Sequence, residues 1–142
     1  MAYVWDKDLE TGHELIDNQH KQLVRAVNDL QVANASGKAA EEIERTIDFL
    51  LGYTVKHFHD EEALQIEYGY PDYYEHVSYH REFKGQVAQL AGRLQEEGPT
   101  RELVDEISQH IGDWLLHHIK SDDLKMATYV QQEDARRRGP TI

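Results

Sequence analysis

Two pairs of metal-capable side chains, His57/Glu61 and His76/His80, stand on either side of the segment Gly69-Tyr70-Pro71, each pair spaced i,i+4. On a helix that spacing stacks the two members one turn apart on the same face. Gly69-Tyr70-Pro71 reads as a helix stop, a short turn and a restart with Pro71 in the first turn. Helices joined by so short a turn run antiparallel and side by side, which brings four ligand-type residues to one small volume inside a bundle. Any fold of this chain has to accommodate that convergence.

The remaining periodicity supplies the bundle. Residues 1–12 have no helical period, but Tyr3, Val4 and Trp5 are apolar enough to pack as an arm. Thr11 and Glu14 could form a capping box that opens the first helix. Ile16, His20, Leu23, Val24, Val27 and Leu30 recur at three- and four-residue steps, an amphipathic stripe that ends at Asn34-Ala35-Ser36-Gly37. A second helix runs from about Ala39 to Tyr68, with Ile43, Ile47, Leu50, Leu51, Thr54, Phe58 and Leu64 inward. The third starts near Pro71 and carries His76, Val77, His80, Phe83, Val87, Leu90 and Leu94. After Glu97-Gly98-Pro99-Thr100, the fourth holds Leu103, Ile107, Ile111, Trp114, Leu115, His118, Ile119 and Met126 and ends around Val130. The expected architecture is an all-α, up-down-up-down four-helix bundle. It forms a single domain over residues 1–142, with an N-terminal arm (1–12) and a frayed C-terminal tail (131–142).

Composition narrows the chemistry. There is no cysteine, so any metal is held by imidazole and carboxylate. A formal net charge of −12 argues against nucleic acid or an anionic membrane as partner. No run approaches the ~18 apolar residues of a membrane span, and the N-terminus lacks the pattern of a secretory signal, so a cytoplasmic protein is expected.

A lone histidine on an apolar face is usually an ordinary core or boundary residue. Five histidines and two acids on the inner stripes of four helices are harder to explain that way. Glu61 stands where a bland stripe would carry leucine, and neither lysine nor arginine occupies a matching inward position. An unpaired buried carboxylate costs several kcal/mol; a metal held by neutral imidazoles would supply the missing charge. The ligand count exceeds the four of a zinc site and suits two six-coordinate ions that share bridging carboxylates. The paired Glu-x-x-His motifs of ferritin-type di-iron enzymes are absent, Glu10/His13 being the only such spacing and lying in the arm. The zinc-protease His-Glu-x-x-His, a Gly-rich phosphate loop and a Gly-x-Ser-x-Gly elbow are absent too. One choice stays open at this level. His118 lies one turn from Asp122, and helix geometry alone slightly prefers that acid to Asp123.

The pattern resembles the hemerythrin family, in particular its single-domain bacterial members. The matching segments are Ile16-Asp17-Asn18-Gln19-His20 and His57-Phe58-His59-Asp60-Glu61-Glu62, then Gly69-Tyr70-Pro71 and His76-x-x-x-His80-x-x-Phe83. Trp114-Leu115-Leu116-His117-His118-Ile119 and Asp123 complete the set, which covers nearly the whole chain. The resemblance implies two irons (Fe2+/Fe3+) with an oxo or hydroxo bridge in the bundle core. His76, His80 and His118 would saturate one iron; His20 and His57 would bind the other and leave one position open. Glu61 and Asp123 would bridge, the family spacing selecting Asp123 over Asp122. Dioxygen would bind end-on at the open position as hydroperoxide, in a dry pocket formed by Trp114, Ile119 and Phe58.

The implied function is reversible dioxygen binding by a non-enzyme, a monomer or small homo-oligomer. The alternatives are a di-iron enzyme acting on peroxide or nitric oxide, and an O2-sensing module. His13, His59, His110 and His117 are left as surface or boundary residues, and Glu62 as a solvated neighbour. Two positions depart from the family pattern: Gln65 replaces a usual methionine and Met126 a common tyrosine. The stripe favours Leu64 inward with Gln65 tilted to the boundary; the competing placement turns the Gln65 amide into the pocket.

Overall fold

The structure is a computed structural model and describes residues 3–38 and 40–139. Its helices are α1 (Glu14–Ala35), α2 (Ala40–Tyr68), α3 (Tyr73–Glu97), α4 (Arg101–His118) and α5 (Leu124–Arg138). A π-helical turn, Ile119–Asp123, joins α4 to α5 without a break in helical dihedrals. Four rods therefore make the expected up-down-up-down bundle, α1 packing on α2 and α4, and α3 on α2 and α4. Among the described residues no strand occurs and no helix is long and apolar enough to cross a membrane.

Helix ends follow local chemistry. Gly69, at φ 66, ends α2 in a Schellman motif, with Tyr70 N donating to Gln65 O at 2.9 Å and Gly69 N to Ile66 O at 3.3 Å. Pro71 lies outside the helix, not in its first turn, because α3 begins only at Tyr73. The expected Thr11/Glu14 capping box is also absent. His13 is the N-cap residue of α1, and the Asp17 carboxylate instead takes Thr11 N, Thr11 Oγ1 and Gly12 N at 2.9, 2.7 and 3.1 Å. One side chain thus ties the arm to the first turn of α1.

The tail expected over 131–142 is helical as far as Arg138, eight residues past Val130, where the apolar stripe stops. Glu133 ion-pairs there with Arg136 and Arg137 at i,i+3 and i,i+4, so a polar stretch continues the helix. The N-terminal arm packs through Tyr3. Its N donates to Asn28 Oδ1 at 2.8 Å and its hydroxyl to Asp113 Oδ1 at 2.8 Å. Its ring lies where a Cβ on Gly112 would collide with it. Val4, expected to pack, is instead 75 % exposed, and Leu9 is the deeply buried arm residue. A 3-10 turn at Lys7–Leu9, with Asp8 N bonded to the Asp6 side chain, swings Leu9 inward. Residues 1–2, Ala39 and 140–142, which belong to the expected arm, second helix and tail, lie outside the described residues.

The core is divided in two. A long cluster includes Leu23, Val27, Leu30, Leu50, Phe58, Phe83, Ile111, Leu115 and Ile119; a short one holds Ile16, Tyr70, Met126, Ala127 and Val130. A buried polar layer lies near the junction of the two clusters: His20 on α1, His57 and Glu61 on α2, His76 and His80 on α3, then His118 and Asp123.

Candidate metal centre

All seven predicted ligand residues are buried, and they form two overlapping groups. Glu61, His76, His80, His118 and Asp123 make one, and His20, His57, Glu61 and Asp123 the other. The two carboxylates belong to both. Glu61 presents Oε1 to His76 and His80 at 3.0 and 3.3 Å, and Oε2 to His57 and His20 at 3.0 and 3.5 Å. Asp123 does the same, with Oδ1 3.1 Å from both His76 and His118 and Oδ2 2.9 Å from His20. Every contacting imidazole nitrogen in these pairs is Nε2. One oxygen of each acid therefore faces each group, the disposition a bridging carboxylate needs.

The π turn sets where Asp122 and Asp123 point. A π-helix pairs residue i with i+5, and His118 to Asp123 is that step. Asp123 is 0 % exposed and faces the centre, while Asp122, at i+4, accepts from His118 Nδ1 at 2.8 Å. Both acids thus serve His118, one at each ring nitrogen.

Three residues outside the predicted set orient imidazoles. His80 Nδ1 donates to Glu62 Oε2 at 2.8 Å, so Glu62 is not a mere solvated neighbour. His57 Nδ1 donates to Gln19 Oε1 at 2.7 Å, and Gln19 Nε2 donates to Asp60 Oδ2 at 2.7 Å. With Asp122, these partners hold Nδ1 protonated and leave Nε2 to bind. Spacing along one helix finds Asp122; Glu62 and Gln19 reach across to another helix, and only their adjacency to Glu61 and His20 marks them. Aromatic rings add a clamp. Phe58 stacks on His80 at 3.8 Å and 6°, and Trp114 on His118 at 4.4 Å and 17°.

The donor set fits metal ions. His20 Nε2, His57 Nε2, Glu61 Oε2 and both Asp123 oxygens are buried without hydrogen-bond partners among the described residues, despite their short mutual contacts. Atoms that crowd together without hydrogen-bond geometry aim at common points between them. Their charge state without metal points the same way. Burial alone would lower the His20 and His76 pKa values, but Asp123 and Glu61 outweigh it and push both up to about 9. Asp123 and Asp122 likewise overcome burial at His118 and push it up to about 10. Burial would raise Glu61 and Asp123, yet the surrounding imidazoles hold both carboxyls below their ordinary values. The buried acids demand positive charge, and protons supply it when metal does not.

The other predicted residues divide. Ile119 and Phe58 are fully buried, whereas Trp114 is half-buried between Phe83 and His118. Gln65 is 0 % exposed while Leu64 is half-buried, so the boundary placement of Gln65 is overturned. Neither Gln65 Oε1 nor Nε2 has a hydrogen-bond partner among the described residues. His13, His59, His110 and His117 are exposed or half-buried and join neither group. His110 instead meets Gln86 at 2.9 Å.

Comparison with known proteins agrees with this geometry. Residues 11–130 match the hemerythrin HHE cation binding domain. The chain is 35% identical over 128 residues to a bacteriohemerythrin of Stenotrophomonas maltophilia, covering 90% of this chain and 81% of that one. It is 32% identical over 123 residues to a myohemerythrin of Sipunculus nudus, covering 87% and 89%. A crystal structure of wild-type hemerythrin superposes with a TM-score of 0.81 at 26% identity, covering 92% of this chain and 98% of that chain.

Proposed function

Because the chain belongs to the hemerythrin family, which binds oxygen at a di-iron site, we propose that it binds dioxygen reversibly, for carriage, storage or delivery, and is not an enzyme. The observation that carries this reading is the division of Glu61 and Asp123, each with one oxygen toward each histidine group. His76, His80 and His118 would hold one iron and His20 and His57 the other, with Glu61 and Asp123 available to both. The half with two histidines offers one protein ligand fewer than the other. Two irons held this way would supply the electrons for reversible dioxygen binding and take them back on release.

The protein's own part is to fix and to exclude. Gln19, Glu62 and Asp122 hold the Nδ1 protons of His57, His80 and His118, which keeps each Nε2 directed at the centre. Phe58 and Ile119, fully buried, and the half-buried Trp114 keep water from the pocket; Gln65 brings a polar end to its edge. The same reading takes residues 1–142 as one domain acting in the cytoplasm, as a monomer or small homo-oligomer, with dioxygen as its partner. A charge of −12 gives no support to nucleic acid or an anionic membrane in that role.

The test is to expose the reduced, iron-loaded protein to air and then remove the oxygen. A coloured adduct that forms and reverses over repeated cycles is expected. One-way bleaching with turnover of added peroxide or nitric oxide would overturn the carrier and favour a di-iron enzyme. The buried, unpartnered Gln65 amide is the feature that favours that second reading.

A further inference from the structure

The two halves of the centre are built unequally. The three-histidine half has two anionic partners behind its rings, Glu62 on His80 and Asp122 on His118, each at 2.8 Å. The two-histidine half has a neutral carboxamide on His57 and nothing on His20, whose Nδ1 is buried without a hydrogen-bond partner among the described residues. We propose that the centre fills in a fixed order: a first divalent ion enters the His76/His80/His118 half, a second completes the His20/His57 half, and Glu62, Asp122 and Gln19 set that order as positioning residues. The inference rests on the dinuclear reading above.

Four physical arguments support the order. A carboxylate that accepts from Nδ1 raises the basicity of Nε2, and losing such a partner typically costs ~10–100-fold in metal affinity. A carboxamide oxygen fixes the ring but brings no charge. Orientation is the second argument. His80 and His118 are each held by a carboxylate on one edge and an aromatic ring on one face, with their Nε2 atoms already 3.1 Å apart. A preformed ligand set loses less side-chain freedom on binding, and His20 has no such Nδ1 restraint.

Charge is the third argument. Glu61 and Asp123 neutralise one dication and are shared by both halves. The carboxylates that offset a second dication, Glu62 and Asp122, both stand behind the three-histidine half. The second ion therefore meets the repulsion of the first with only Asp60 on its own side, which lies one hydrogen bond farther out behind Gln19 and is paired with Lys56 at 2.8 Å. Access favours the same end, since His76 lines a small surface cleft together with Asp72, Glu75, Tyr79 and Asp122.

The experiment is an anaerobic titration of the metal-free full chain with Co2+, read by calorimetry and by the visible absorption of bound cobalt. Two resolved steps are expected. His57→Ala should keep the first at unchanged affinity and lose the second, while His80→Ala should remove the tight step. Glu62→Gln and Asp122→Asn should each weaken the first step ~10–100-fold more than the second.

The gain-of-function variant is the sharpest arm. Gln19→Glu combined with Asp60→Asn gives His57 an anionic partner and keeps a donor opposite residue 19. It should tighten the second step about tenfold, which a merely structural role for Gln19 would not produce. Uptake of both ions in one step would overturn the proposal. So would equal weakening of both steps by Glu62→Gln and Asp122→Asn, or an unchanged second step in the Gln19→Glu/Asp60→Asn protein. Circular dichroism identifies any variant that has not folded, and the gain-of-function arm then decides alone. Oxygen takes no part, so a protein that fills in two ordered steps but forms no reversible adduct would refute the carrier reading and leave this one standing.

Discussion

A carboxamide buried with both ends unpartnered is costly, and Gln65 is such a group one turn beyond Glu61. Leaving a buried donor or acceptor unsatisfied costs about 1–3 kcal/mol, whereas an apolar side chain of similar shape does not carry that penalty. Gln65→Met should therefore stabilise the metal-free protein by about 1–3 kcal/mol in denaturant unfolding. It should also change the decay of the oxygenated form several-fold, a shift of about 1 kcal/mol in the barrier being enough. Unchanged stability together with unchanged decay would mean that the amide is satisfied and remote from the pocket. Spacing alone could not place Gln65, because neighbours 64 and 65 compete for the edge of one stripe. Part of the buried cluster was legible for the opposite reason: the i,i+4 pairs His57/Glu61 and His76/His80 on apolar stripes with no matching cation point to a metal as partner, while the family resemblance singles out Asp123. Glu62 and Gln19 were not, because their bonds cross between helices and depend on helix rotation.

At the level of elements, the four rods were readable from apolar periodicity, and the departures lie where another rule takes over. The π turn Ile119–Asp123 is one. A uniform α-helix would aim Asp122 at the centre, but the extra residue brings Asp123 inward and leaves Asp122 on the outer nitrogen of His118. Continuation of α5 to Arg138 is another, since ion pairs rather than apolar residues support it. The arm is the third. It docks because Gly112 leaves room for the Tyr3 ring, a contact between residues far apart in sequence. Gly112→Ala should displace Tyr3 and make the N-terminal segment more susceptible to limited proteolysis, with metal stoichiometry unchanged. Proteolysis at the wild-type rate would show that Tyr3 does not anchor the arm.

For the whole molecule, the buried layer couples folding to metal and to pH. Metal-loaded protein should be more stable than metal-free protein, since ions bound only by the native state add their binding free energy to folding. Without metal, His20 and His76 at about 9 and His118 at about 10 lie above the ordinary histidine value. Groups raised on folding contribute stability that is fully present below about 6.5 and is lost as pH climbs through 9 to 10. Glu61 and Asp123, held low, contribute the opposite way: their stability is present above the ordinary carboxylate range and is lost toward strong acid. The melting temperature of metal-free protein should therefore be higher at pH 6 than at pH 9.5. A metal-free melting temperature that rises over that interval would contradict the assigned charge states.

The dinuclear centre itself is tested most directly by anomalous diffraction at the iron edge from crystals of the iron-loaded protein. The account predicts two iron peaks per chain, one among His76, His80 and His118 and one beside His20 and His57, with Glu61 and Asp123 between them. A single peak per chain, or two peaks not shared by those carboxylates, would contradict it.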